Sequence, residues 1–272
     1  MRVAVFHPGA MGSALGGQLV GAGHTVGWVA AGRSTATAER AAAQGLVAGA
    51  FADVVGAADL VLCSCAPQGA VDVARQVGAT GFAGVYVDAN PLSPSSLTEA
   101  AASLPDATFV DAGVIGPPPR AGAGRTHLML SGDAEATALV RDLFEGTLVT
   151  PMVVGTEIGA ASAARSSYAL YNKGHLALAE LARGLAKRHG VLPALEAQAV
   201  RKDASLLADA ERIDGLASVA WRWGPEFDEL ADTLDAAGLE GDALRGLRQV
   251  WTRLAAGEDA GDEADDPPGG GR

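Results

Sequence analysis

Over the first 155 residues, short apolar runs alternate with small-residue stretches of helical character. Runs at 2–6, 25–29, 45–48, 59–65, 84–88, 108–113, 126–132 and 148–154 read as strands. Several are apolar throughout, as parallel strands covered on both faces must be. Between them the pattern predicts helices over 13–23, 39–44, 51–58, 72–77, from 95 or 96 to 103, and over 134–144. Ser96 and Glu99 have capping-box spacing at the fifth of these. Residues 114–119 leave the sixth strand as a rigid proline-rich loop, and the glycine- and proline-rich chain up to Gly124 reads as mobile. Strands alternating with helices imply an α/β domain with a doubly wound sheet. The texture changes near Gly155. Residues 157–189 are helix-compatible and free of proline, enough for a rod of about 45–50 Å, with Gly159, Gly174 and Gly184 as weak points. Further helices are predicted over 193–210, 213–223, 226–237 and 242–255. The expected organisation is therefore an α/β domain over 1–155 and an all-helical domain over 156–256. An acidic, then Pro/Gly-rich tail over 257–272 lacks apolar residues to bury and reads as disordered.

Composition narrows the function. The chain has 272 residues, 49% apolar but only 5% aromatic, so its cores are built from Ala, Val and Leu. A formal net charge of −12 argues against nucleic-acid binding, which needs a basic face. No apolar run is long enough for a membrane span, and the N-terminus enters a strand directly, without a signal-peptide pattern. The two cysteines, Cys63 and Cys65, fit buried thiols on one strand better than a disulfide or zinc site. A cytoplasmic location is expected. No metal motif is present, so no metal is expected.

The informative stretch is His7-Pro8-Gly9-Ala10-Met11-Gly12, set between the first strand and the first helix. In that context glycines mean a tight turn, a backbone that lets a diphosphate approach, and a helix N-terminus facing the anion. His7 stands where the usual fingerprint has its first glycine; Gly9 and Gly12 fill the other two places. The second strand ends at Val29, about twenty residues past the turn, where an NAD enzyme carries its ribose-binding carboxylate. No Asp or Glu occurs before Glu39; the loop reads Ala31-Gly32-Arg33-Ser34. A guanidinium and a hydroxyl suit a 2′-phosphate. The expected cofactor is therefore NADP(H) in a Rossmann domain. Gly9, Ala10, Met11 and Gly12 are placed at the diphosphate, and Arg33 and Ser34 at the 2′-phosphate. Ser64, Ala66, Pro67 and Asn90 fall at strand C-termini, which line the ligand crevice of an open α/β sheet.

Jointly, several segments resemble the superfamily of β-hydroxyacid dehydrogenases and 6-phosphogluconate dehydrogenase, which includes the imine reductases. They are residues 7–12, 59–67, 87–94, and 109–116 with 128–132. Tyr171-Asn172-Lys173-Gly174 and residues 220–227 are similar to a subgroup with a poorly assigned helical C-terminal domain. The resemblance implies a small-molecule substrate, a homodimer, and helices of the partner completing each site. It also brings departures. Where the family's Ser-Gly-Gly loop holds a substrate carboxylate, this chain has Ile115, Gly116 and Pro117. Where the family has a catalytic lysine, six residues beyond a glycine, this chain has Arg165. Arginine stays protonated, so it can clamp an anion or polarise a carbonyl but is a poor acid–base group. Imine reductases also vary at this lysine position.

Hydride transfer asks the protein for geometry and a proton donor. Arg165, Tyr168 and Asn172 fall on one face of the long predicted helix, and Lys173 lies beside it. Arg165 is expected to anchor or polarise the substrate, Tyr168 or Lys173 to move the proton, and Asn172 to orient the substrate. Each has a plainer reading as an ion-pair partner, a packing residue or a solvated side chain. His127 and His175 are candidate relays, with local hydrogen bonding the plainer role. Trp221, Trp223 and Phe227 read as a packing cluster. The expected function is an NADP(H)-dependent oxidoreductase acting on a small carbonyl or alcohol. Imine reduction is the alternative, and a non-catalytic dinucleotide sensor the third reading.

Overall fold

The computed structural model describes residues 1–201 and 209–256. The chain divides into two compact units, one of Met1–Tyr168 and one beginning at Ala169. That division falls beyond Gly155, inside the long helix, rather than ahead of it. The predicted tail over 257–272, and the end of the helix predicted over 193–210, lie outside the described residues.

The first unit is a single eight-stranded sheet. Its strands are β1 (Arg2–Phe6), β2 (Thr25–Val29), β3 (Val47–Gly49), β4 (Leu60–Cys63), β5 (Val85–Asp88), β6 (Thr108–Ile115), β7 (Thr126–Gly132) and β8 (Val149–Gly155). They lie in the order β3-β2-β1-β4-β5-β6-β7-β8. All neighbours are parallel except β6 and β7, paired from Val110 opposite Gly132 to Ile115 opposite His127. The alternation along β1 shows why both faces are covered. Val3 and Val5 pack into one core with Leu15, Leu19 and Leu62. Ala4 and Phe6, pointing the other way, join a second core with Val61, Val73, Val77 and Leu97.

Six helices accompany the strands: α1 (Ala10–Gly21), α2 (Thr35–Ala43), α3 (Phe51–Gly56), α4 (Pro67–Gly78), α5 (Pro94–Ala102) and α6 (Ala134–Leu143). Four of them begin earlier than periodicity predicts, because the cap rather than the apolar stripe sets a helix start. Gly9 caps α1 in an extended conformation. The Ser34 side chain caps α2, and Pro67 occupies the first turn of α4. Ser93 caps α5 through the Ser96 amide, which corrects the expected Ser96–Glu99 box. Glu99 instead pairs with Arg75. The sixth strand also runs further than expected, carrying Val114 and Ile115 into pairing with β7.

The long helix α7 (Ala160–Arg188) has 29 residues. The second unit continues with α8 (Leu192–Arg201), α9 (Ala210–Asp214), α10 (Ala217–Ala236) and α11 (Asp242–Ala255). Two predicted helices, 213–223 and 226–237, merge into α10, which runs on through Pro225. Its core gathers Leu176, Ala177, Phe227, Leu230, Leu244 and Trp251. Trp223 and Phe227 meet Trp251 edge-on at 4.9 and 5.8 Å, whereas Trp221 is exposed.

Candidate functional site

The chain leaves β1 through His7 and Pro8 and enters α1 at Ala10. His7 has φ 56°, the one non-glycine in the left-handed region among the described residues. That conformation costs an L-residue roughly 1–2 kcal/mol. Its carbonyl accepts from the Gly9 amide at 2.6 Å and closes the turn. No side chain caps α1, and its first turn holds no acidic residue. The amides of Ala10, Met11 and Gly12 precede the first intrahelical donor, the Ser13 amide that bonds the Gly9 carbonyl at 3.0 Å, so they are offered outward together with the positive end of the helix dipole. A Cβ on Gly12 would lie 3.0 Å from the His7 carbonyl oxygen and 3.5 Å from Ser64. Gly12 is therefore packed tightly under the His7 carbonyl, with the end of β4 at van der Waals distance.

Across the turn stands the loop after β2. The Arg33 Nη2 lies 3.3 Å from His7 Nε2. Arginine can only donate, so His7 Nε2 accepts and the imidazole is neutral with its proton on Nδ1. Burial, and next the Arg33 charge, hold the His7 pKa below its usual value. The Ser34 hydroxyl accepts from the Thr37 amide at 3.3 Å and stays exposed. Two cationic or donor groups thus stand at the start of α2, a nine-residue helix with no acidic residue in its first turn.

At the ends of β4 and β5 lies a buried polar network. Asn90 turns its side chain inward: Oδ1 accepts from the Cys65 amide at 2.6 Å, and Nδ2 donates to Asp88 Oδ1 at 2.9 Å and to the Cys63 carbonyl at 3.4 Å. Asn90 is thus a clamp on the loop 64–66. The Cys63 and Cys65 thiols are 3.8 Å apart and reduced. Asp88 also accepts from the Asn90 amide, and its Oδ2 is buried without a hydrogen-bond partner among the described residues. Burial raises its pKa to about 7; the Asn90 donors oppose the rise and the neighbouring Asp111 charge adds to it.

Asp111 on β6 is the seat of α7. It is fully buried and accepts from Gly159 N, Ser162 N, Ser162 Oγ and Ser131 Oγ at 3.0, 2.9, 2.6 and 3.2 Å. A Cβ on Gly113 would lie 2.6 Å from Arg165 Cβ and 2.7 Å from the Ala161 carbonyl. The first turns of α7 therefore rest on bare β6 backbone, and this fixes where Arg165 starts. Tyr168 is half exposed at 50%. Further along α7, in the second unit, Lys173 forms a buried ion pair with Glu226 of α10 and sits 5.5 Å from the Trp223 ring centroid. Asn172 is half-buried. His175 bonds locally to the Tyr171 carbonyl at 2.7 Å.

Residues 2–155 match the family described as the NAD binding domain of 6-phosphogluconate dehydrogenase. The chain belongs to that family. Residues 186–254 match a domain of unknown function, DUF1932. An uncharacterised 28.5 kDa protein of Methanothermus fervidus is 28% identical over 145 residues; the match spans 53% of this chain and about half, 55%, of that protein. A conserved protein of unknown function, described as structurally similar to 3-hydroxyacid dehydrogenases, has TM-score 0.70 at 26% identity, covering 93% of this chain and 96% of that one. The Mycobacterium tuberculosis 3-hydroxyisobutyrate dehydrogenase shares the fold at TM-score 0.69 and 21% identity, with 93% of each chain covered. A Pseudomonas imine reductase shares it at TM-score 0.58 and 18% identity, with 94% of each covered.

Membership of the 6-phosphogluconate dehydrogenase NAD-binding family implies a nicotinamide dinucleotide, and the residues present fit one. An uncapped helix start without acidic residues, reached through a tight turn in which Gly12 packs closely under the His7 carbonyl, is what a diphosphate requires. Gly9, Ala10, Met11 and Gly12 stand together with Ser64; Arg33 and Ser34 are adjacent at the start of α2. Ala66 is exposed beside them in sequence, and Pro67 opens α4. Arg165 and Tyr168 belong to the first unit, Asn172 and Lys173 to the second. Sequence reasoning missed Asp88, Asp111, Ser131 and Ser162. The available signal was a carboxylate inside each of two otherwise apolar strands. Among the described residues, no group of three His, Cys, Asp or Glu side chains could hold a metal ion. Nor is any described helix long and apolar enough to cross a membrane.

Proposed function

We propose that this protein is an NADP(H)-dependent oxidoreductase that transfers hydride between nicotinamide and a small carbonyl or alcohol of the β-hydroxyacid dehydrogenase type. The observation that carries the reading is the glycine turn, open at the α1 N-terminus, with Arg33 rather than a carboxylate beside it. In this reading Gly9, Ala10, Met11 and Gly12 hold the diphosphate and Arg33 and Ser34 the 2′-phosphate. Ser64, Ala66 and Pro67 border the cofactor. Asn90 acts through the Cys65 amide, shaping that border. The bound dinucleotide supplies the hydride acceptor or donor.

On the substrate side Arg165 is assigned the clamp, because its start is fixed against β6. Tyr168 is assigned the proton, Asn172 the orienting hydrogen bond, and Lys173, held by Glu226, a secondary place. A cytoplasmic homodimer completes the proposal. Reduction of C=N is the second reading, favoured by Arg165 at the family's lysine position: an iminium carries its own charge and needs less from a general acid.

The test is calorimetric titration of NADPH and NADH into wild type and Arg33→Ala, followed by NADPH absorbance with hydroxyacids and cyclic imines. The expected result is a preference for NADPH that falls at least tenfold in Arg33→Ala, about the worth of one charge-assisted hydrogen bond. Turnover of imines alone would select the second reading. Absence of binding by either dinucleotide would end both.

A further inference from the structure

We propose that His7 is a positioning residue for cofactor selectivity: its imidazole holds the Arg33 guanidinium at the mouth of the glycine turn, ready for a 2′-phosphate. The inference rests on the NADP(H) reading and names a second residue behind it.

Three observations converge on His7. It occupies the turn at φ 56°, where glycine would sit without strain. A side chain at such a position carries a backbone penalty that glycine would avoid, which directs attention to what the side chain touches. Its ring reaches across the turn to Arg33, 26 residues on, with Nε2 to Nη2 at 3.3 Å. Among the described residues the Arg33 side chain makes no other protein hydrogen bond, and the residue is exposed. A long, solvated side chain of this kind loses rotamer freedom when it captures a ligand. Pre-orienting it lowers that loss. The acceptor is neutral, held so by burial and by the guanidinium itself, so it steers the cation without cancelling its charge. A carboxylate in its place would neutralise Arg33 and repel a phosphate.

The test separates positioning from turn-building. Affinities for NADPH, NADH and adenosine 2′,5′-bisphosphate are measured by calorimetry for wild type, His7→Gly, His7→Gln, Arg33→Ala and the double variant His7→Gly/Arg33→Ala. Glycine keeps the left-handed turn, so folding is retained, and a thermal melt of His7→Gly at or above the wild-type midpoint verifies it. The expected result is an NADPH-to-NADH affinity ratio that drops about three- to tenfold in His7→Gly. NADH binding stays within twofold of wild type, and His7→Gln, which restores an acceptor at similar reach, recovers most of the ratio. In the Arg33→Ala background, removing His7 changes the ratio no further. An unchanged ratio in His7→Gly, or an equal drop with and without Arg33, overturns the role of His7. If Arg33→Ala still loses NADPH preference, the cofactor reading survives that failure. A wild type that binds NADPH and NADH equally overturns both.

Discussion

Asp88 and Asp111 are paired across β5 and β6, and both are fully buried. Their surroundings differ. Four donors converge on Asp111, while Asp88 takes two, both from Asn90 and both on one oxygen. With only two donors to offset its burial, Asp88 has its pKa raised to about 7 from 3.8. A carboxyl with a raised folded-state pKa favours folding at low pH and gives that contribution up as pH climbs from about 4 to 7. The ceiling on the loss is about 4 kcal/mol. Asp88→Asn keeps the neutral form at every pH. Urea unfolding should find the stability of the variant relative to wild type rising by about 2–3 kcal/mol between pH 5 and pH 8. At this scale the sequence was legible wherever a residue acts through its backbone, as Gly9 and Gly12 do. It was opaque where a side chain acts through a distant partner. Nothing local says that Asn90 points inward to the Cys65 amide, that His7 meets Arg33, or that Asp111 receives Ser162 from a helix fifty residues on.

Among the helices, α7 and α10 are tied by Lys173 and Glu226, whose side chains are only 14% and 8% exposed. Removing one charge from such a pair leaves the other in a poor solvent, whereas removing both is mild. Lys173→Met should lower the stability of the second unit by about 3–5 kcal/mol. Lys173→Met/Glu226→Leu should recover most of the loss, read by denaturation followed with circular dichroism. Full turnover in the double variant would place Lys173 outside the chemistry. The order of strands and helices in the first unit was readable, because period-two and helical spacing are local signals. Helix starts were less so: Ser34, Pro67 and Ser93 set them through caps. The run of α10 through Pro225 contradicts the local rule, and packing around Trp251 overrides it.

For the whole molecule, two compact units mean that a ligand held by one need not stabilise the other equally. NADPH at a hundred times its dissociation constant should add about 2.7 kcal/mol to the unit that binds it. Differential scanning calorimetry should show the transition of the first unit moving up with NADPH, and moving less with the same concentration of NADH. The placement of the tryptophans makes the units separately visible. Of four in the chain, Trp28 is the one in the first unit and is buried in the sheet, while Trp221, Trp223 and Trp251 all belong to the second. Indole emission from Trp28 will be blue-shifted and shielded from iodide, whereas Trp221, 70% exposed, will emit to the red and be quenched. One Phe substitution at position 28 therefore turns intrinsic fluorescence into a reporter of the helical unit alone, and the difference spectrum reports the nucleotide-binding unit without any added dye.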